Sequence, residues 1–264
     1  PEELICSTTP HDGGICYRYK AKECAQEAPP AIWQDFFAYH TSPEYFQECA
    51  KVFEPHIVEA YGDEFMHDML TKDVSVRDVD TGGHYVTDCQ FVVHEPVDSS
   101  GTSRTPHVDN PVEIYAGLLY MRPRTDNSTG GNFTIHKTTG EIKEVNKSLG
   151  RQVDDDLHSP VKTVPYNRNT FCMFLNVKDS VHSVSPRLQP DQRRRSINII
   201  GEFNGTGKMC FGIRGKLARI DKKAKRGSFK DCYDRELECL KRLQGHQGFP
   251  VLNNYIDDQL IIEM

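Results

Sequence analysis

The segment Pro106-His107-Val108-Asp109-Asn110-Pro111 puts an imidazole and a carboxylate two positions apart. In extended chain the side chains alternate between faces, so His107 and Asp109 project together and can offer one nitrogen and one oxygen to a single metal ion. A third ligand must come from elsewhere. His182 stands well downstream in Val181-His182-Ser183, just after the β-prone run Thr170 to Val177. Two histidines and a carboxylate on one face of an octahedron leave three positions open, the arrangement that suits Fe(II) binding a chelating co-substrate and then O2. Beyond His182, Arg193-Arg194-Arg195-Ser196 leads into Ile197-Asn198-Ile199-Ile200. An arginine that opens a buried strand needs an anionic partner, because an unpaired buried charge is costly. A carboxylate held through two parallel hydrogen bonds would be such a partner.

These groups need a scaffold, and the period of the apolar residues describes one. The first third reads as helical: Ile32, Trp33, Phe36 and Phe37 recur at helical spacing after Pro29-Pro30. Ser42-Pro43-Glu44-Tyr45 looks like an N-cap followed by Pro at the first helical position, and the pattern continues through Phe46, Cys49, Val52 and Phe53. Pro55 starts a further helical segment to about Phe65. From Tyr85 the period changes to short β-rich runs: Tyr85 to Val93, Val112 to Met121, Asn132 to His136, Val161 to Val164, Thr170 to Val177 and Ser196 to Phe203. Gly, Pro, Asn and Asp punctuate them, as in an antiparallel barrel or jelly roll. Asn146 to Asp156 reads as a surface loop, and Asp231 to Leu243 returns to helical spacing. The expected architecture is one domain over 1–264. A helical part covers about 1–80, a β-core with the metal site about 81–213, and a basic segment with a C-terminal helix about 214–264.

With these parts in place the chain resembles a family. His107-Val-Asp-Asn-Pro, Tyr120-Met121, Gly130-Gly131, His182-Ser-Val-Ser-Pro and Arg194-Arg-Ser-Ile-Asn-Ile stand in the order and spacing of Fe(II)/2-oxoglutarate-dependent dioxygenases, over about residues 85 to 204. The resemblance is to the prolyl-hydroxylase-like branch. It implies a mainly β fold with flanking helices around a double-stranded β-helix (jelly-roll, cupin-like) core, with Fe(II), 2-oxoglutarate and O2 as requirements. On this resemblance His107, Asp109 and His182 match the metal triad, and Tyr120 matches the tyrosine that donates to the distal carboxylate of 2-oxoglutarate. Arg194 matches the carboxylate-binding arginine, with Ser196 on the same strand face; Arg195, sharing its face with Ile197 and Ile199, is the alternative. The implied outcome is hydroxylation, desaturation or oxidative cyclisation of an unactivated C–H bond. Halogenating relatives lack the carboxylate that Asp109 supplies. The expected substrate is small and amino-acid-like or a natural product; the alternatives are a protein prolyl hydroxylase and, from another class, a non-catalytic cupin-like metal-binding sensor.

Other residues carry weaker expectations. Asn110 and Pro111 shape the turn after the metal ligand, or touch substrate. His136, His158, His94 and His84 read as lone structural or surface histidines. Tyr115, Asn176 and Asn198 sit near the expected site, and strand parity alone leaves open whether they face it.

Bulk composition excludes some classes. The net charge of −6 argues against a general nucleic-acid binder, and the basic stretch from Lys208 to Lys230 reads as a solvated loop or helix face. No apolar run approaches the length that crosses a bilayer. The nine cysteines include no Cys-x-x-Cys pair, so free thiols in the cytoplasm or another reducing compartment are expected. The four Asn-x-Ser/Thr sequons, at Asn127, Asn132, Asn146 and Asn204, read as coincidence. A start at Pro1 rather than Met reads as trimmed or processed, which would leave any upstream targeting signal unread.

Overall fold

The computed structural model describes residues 7–11, 14–96, 104–110, 112–139, 151–153, 158–177, 179–188, 192–204, 254–256 and 261–263. The basic stretch Lys208 to Lys230, the helix expected from Asp231 to Leu243, and Pro111 lie outside the described residues.

The chain begins with strands, which corrects the helical reading of residues 1–80 at its start. Strand β1 (Ser7–His11) and strand β2 (Gly14–Lys20) form an antiparallel hairpin, and β2 is hydrogen-bonded to strand β4, Tyr85–His94. The period of two was present: Tyr17 and Tyr19 pack on the apolar core while Arg18 and Lys20 occupy the alternate positions.

Five helices follow: α1 (Ala21–Glu27), α2 (Ala31–His40), α3 (Pro43–Val52), α4 (Glu54–Tyr61) and α5 (Asp63–Thr71). The Ser42 cap forms as expected, its Oγ accepting from the Tyr45 N–H at 3.1 Å with Pro43 in the first turn. The segment expected to run from Pro55 to Phe65 divides at Gly62, whose φ of +92° ends α4 and lets α5 start in a new direction.

The remaining strands are β3 (Val74–Val76), β4, β5 (Arg104–Val108), β6 (Glu113–Met121), β7 (Thr129–Gly130), β8 (Phe133–Thr138), β9 (Arg151–Gln152), β10 (His158–Val164), β11 (Arg168–Leu175), β12 (His182–Val184), β13 (Arg187–Leu188), β14 (Arg194–Phe203), β15 (Asn254–Ile256) and β16 (Ile261–Glu263). The larger sheet runs β1-β2-β4-β14-β6-β11-β16-β15 with β3 beside β4; the smaller runs β10-β8-β12-β5-β9. Of the strands from β4 to β14 that form the two main ladders, β4, β6, β11 and β14 fall in the larger sheet and β5, β8, β10 and β12 in the smaller. The chain therefore winds between two sheets ordered β4-β14-β6-β11 and β5-β12-β8-β10. That is the double-stranded β-helix expected from sequence, here as two open sheets. The expected Asn146 to Asp156 loop contributes one short strand, β9, paired with β5 beside His107.

Each face of the larger sheet has its own partner. One carries Tyr85, Phe91, Tyr115, Leu119, Ile197, Ile199 and Phe203 and packs against Trp33, Phe36, Phe37, Phe46, Phe65 and Met69 of the helices. Burying a large apolar side chain is worth about 1.5–3 kcal/mol, so this layer anchors the fold. The other face meets the smaller sheet through Leu118, Tyr120, Cys172 and Phe174 against Phe133, Ile135, Val184 and Tyr166. Phe133 and Phe174 stack across that gap at 5.4 Å. Cys16, Cys24, Cys49, Cys89 and Cys172 are free thiols; the other four cysteines lie outside the described residues.

Candidate metal centre

Strands β5 and β12 are antiparallel neighbours, and His107 and His182, 75 residues apart in sequence, are register partners in that ladder. Their rings lie 4.3 Å apart between centroids. Asp109, just past the end of β5, reaches back between them. Its Oδ1 is 3.5 Å from His107 Nε2 and its Oδ2 is 3.4 Å from His182 Nε2. The ligand atoms of the three residues all lie within 4.8 Å of one another, and among the described residues this is the one group of three or more such side chains close enough to share an ion.

Backbone carbonyls fix the tautomers. His107 Nδ1 lies 2.7 Å from the Thr105 carbonyl oxygen, and His182 Nδ1 lies 2.9 Å from that of Ser180. A carbonyl only accepts, so each Nδ1 carries the hydrogen and each Nε2 turns its lone pair to the centre. The side chains of His107 and His182 are 5% and 7% exposed. Phe174 and Phe133 hold the His182 ring at 4.6 and 5.2 Å. Burial lowers the His107 pKa, opposed by Asp109, to which Nε2 donates only when the ring is protonated. Burial alone would raise the Asp109 pKa, but His182 and His107 override it and hold the carboxyl well below the carboxylate range. With both Nε2 lone pairs turned inward, the site offers two imidazole nitrogens and one carboxylate oxygen, a donor set that suits Fe(II) with open positions.

Asn176 fixes the segment that leaves the centre. Fully buried, it donates from Nδ2 to the carbonyls of Asn110 (2.9 Å) and Glu113 (3.0 Å). Asn110 turns the chain as expected, its carbonyl accepting from the Glu113 N–H at 2.9 Å. Tyr115, in contrast, belongs to the helix-facing core, with its ring 5.8 Å from Phe46. Strand parity puts it on the face opposite the metal.

The three consecutive arginines go to different places. Arg193 is bidentate to Glu95, with Nε to Oε2 at 3.1 Å and Nη2 to Oε1 at 2.8 Å. Arg195 shares its strand parity with Ile197 and Ile199, which face the helices. Arg194 lies on the other parity, with Ser196 and Asn198, and its guanidinium sits 5.1 Å from the ring centroids of both Tyr120 and Tyr166. Its Nε is buried with no acceptor among the described residues, and no carboxylate there pairs with it. The Tyr120 hydroxyl is likewise buried without an acceptor, and burial, partly offset by Arg194, pushes its pKa well up. Ser196, buried, is the register partner of Tyr120 on β6 and lies 3.4 Å (Oγ) from Asn198 Oδ1. A guanidinium with a spare donor beside a hydroxyl with a spare donor fits a carboxylate.

Tyr166 is a residue that the sequence reading passed over. Its ring stacks edge-on against Tyr120 at 5.1 Å, and its hydroxyl accepts from the Arg195 N–H at 3.1 Å, so it pins β14 where Arg194 emerges. It follows Pro165 outside any regular strand, so no periodicity pointed to it. The expected Gly130-Gly131 turn supports this corner. Both residues have positive φ, +82° and +72°, and a Cβ on Gly130 would fall 1.8 Å from the Pro186 carbonyl oxygen. His136 and His158, read as lone histidines, touch each other instead.

No protein-family model matches the chain, and no curated protein matches it. Solved structures do resemble it. One is a Pseudomonas putida prolyl-4-hydroxylase, at 14% identity and TM-score 0.32 over 75% of this chain and 79% of that one. A second is a prolyl 4-hydroxylase from Phytophthora capsici, at 14% identity and TM-score 0.39 over 86% of this chain and 57% of that one. A third is the non-heme alpha ketoglutarate dependent epimerase SnoN from nogalamycin biosynthesis, at 13% identity and TM-score 0.38 over 81% of this chain and 76% of that one. Each is a likeness of shape at low identity. The fold of this chain rests on its own strand order, and the site on its own side chains.

Proposed function

We propose that this chain is an Fe(II)- and 2-oxoglutarate-dependent oxygenase acting on a small amino-acid-like or natural-product substrate. One observation carries the reading. The inner faces of the two sheets bring together a His107/Asp109/His182 donor set and, across the sandwich, an Arg194 guanidinium with no carboxylate partner among the described residues. A metal-binding sensor needs only the first of these; an enzyme using a dicarboxylic co-substrate needs both.

His107, Asp109 and His182 would hold the iron, and Arg194, Tyr120 and Ser196 the far carboxylate of 2-oxoglutarate. Bound there with O2, that pair supplies an oxidant for an unactivated C–H bond; hydroxylation converts R–H, 2-oxoglutarate and O2 to R–OH, succinate and CO2. The protein's part is positional. The Thr105 and Ser180 carbonyls keep both Nε2 lone pairs aimed at one point, and Phe133 and Phe174 keep bulk water from His182. Tyr120 donates from a hydroxyl that stays protonated across the working pH range.

The test is succinate release from purified protein with Fe(II), 2-oxoglutarate and either metabolite pools or proline-containing peptides. Turnover stimulated by metabolites is expected. Stimulation by peptides alone would favour a protein prolyl hydroxylase, and no succinate under any condition would favour the non-catalytic reading.

A further inference from the structure

We propose that His136 and His158 form a second, outer site for one divalent transition-metal ion of tetragonal preference, Cu2+ or Ni2+, on the solvent face of the smaller sheet. On β8, Phe133 and Ile135 pack into the sandwich, as does Val184 on β12. By alternation Thr134, His136 and Ser183 point the opposite way, and Thr134 Oγ1 meets Thr163 Oγ1 of β10 there at 3.1 Å in the open. On that face the Nδ1 atoms of His136 and His158 stand 3.0 Å apart.

The contact meets the criteria of a hydrogen bond, and its tilt is that of a pair converging on one ion rather than of a linear bond. Two imidazole nitrogens about 2.0–2.1 Å from one ion and 3.0 Å apart subtend about 94° at it, a cis pair in a square or octahedral shell rather than a tetrahedral one. With each nitrogen about 1.1 Å from its ring centre, rings facing head-on across a hydrogen bond would have centroids about 5.2 Å apart, and rings converging on an ion about 4.6 Å apart. The observed separation is 4.6 Å, with the rings nearly perpendicular at 87°. Ser183 completes the device, its Oγ lying 2.7 Å from His136 Nε2. With Ser183 accepting, Nε2 keeps the hydrogen and Nδ1 is left as a ligand, the same division of labour the carbonyls impose on the inner histidines. Solvent fills the remaining positions. Among divalent ions the affinity order at such a site favours Cu2+, then Ni2+ or Zn2+, over Fe2+. This inference does not depend on the oxygenase reading.

The test uses the 264-residue chain carrying His107→Ala and His182→Ala, which removes the inner ligands, titrated with Cu2+ and read by electron paramagnetic resonance. One bound equivalent with coupling to two imidazole nitrogens is expected. Adding His136→Ala or His158→Ala should remove that equivalent, while Ser183→Ala should weaken it about 10-fold. Unchanged stoichiometry and spectrum in the His136→Ala and His158→Ala proteins would overturn the proposal. Should either variant fail to fold by circular dichroism, anomalous scattering from Ni2+-soaked crystals of the unmutated chain decides it. A peak bonded to both Nδ1 atoms supports the site, and no peak there rejects it.

Discussion

On the proposed function, each residue of the centre has one separable job. His107→Ala and Asp109→Ala each remove a ligand and leave its partners facing a gap, so both are expected to abolish Fe(II) binding and 2-oxoglutarate turnover. Anaerobic metal titration followed by succinate measurement would check this, and full activity in either would refute the triad. Arg194→Ala should act differently. Hydrogen bonds to a charged group are worth about 1.5–3 kcal/mol, so the KM for 2-oxoglutarate should rise about 10- to 150-fold. Arg195→Ala should leave it nearly unchanged, because Arg195 shares the helix-facing parity of Ile197 and Ile199. If the two results are reversed, the register is wrong by one. Tyr166→Phe keeps the ring beside Arg194 but deletes the acceptor for the Arg195 N–H. It is expected to cost about 1 kcal/mol in a denaturation curve and to raise the same KM a few-fold.

At the level of elements, strand pairing and turns decide whether those residues meet. His107 and His182 become neighbours only through the β5–β12 ladder, and Asn176 at the end of β11 ties down the chain leaving Asp109. The glycine turn before β8 is equally constrained. Gly130 pairs with Arg187 across β7 and β13, and Arg187 is held by Asp126 at 3.1 Å. Gly130→Ala would force a Cβ into the Pro186 carbonyl at a φ that L-residues avoid. A loss of about 2–3 kcal/mol is expected by chemical denaturation, with larger losses if the turn cannot shift. A substitution there that leaves stability unchanged would show that the turn has another conformation open to it.

For the whole molecule, the helices cover one face of the larger sheet while the other face and the smaller sheet enclose the centre, so metal binding and folding should be linked. An ion that binds only the folded chain stabilises it by about 2.7 kcal/mol at a free concentration 100 times its Kd. Anaerobic Fe(II) is therefore expected to raise the melting temperature of the unmutated protein and leave that of Asp109→Ala where it was. Much of the scaffold was legible beforehand because its signals are local: the Ser42-Pro43 cap, the β-rich runs of β4, β6, β11 and β14, and the double glycine before β8. The β1–β2 hairpin was missed although its period of two was present, because β2 runs directly into α1 and its second ladder partner, β4, lies 70 to 78 residues away. The break at Gly62 was missed because the apolar pattern continues across it.

The sequence by itself determined which chemistry was possible, since His107, Asp109 and His182 are a donor set whatever surrounds them, and alternation alone puts the first two on one side of the chain. Tertiary structure decided the rest. It made His182 the cross-strand partner of His107, and it sent Arg193 to Glu95 and Arg194 to Tyr120 and Tyr166. It turned Tyr115 away from the site and brought His136 against His158. Alternation says which residues share a face. Only the packing of one sheet on another says what that face looks at.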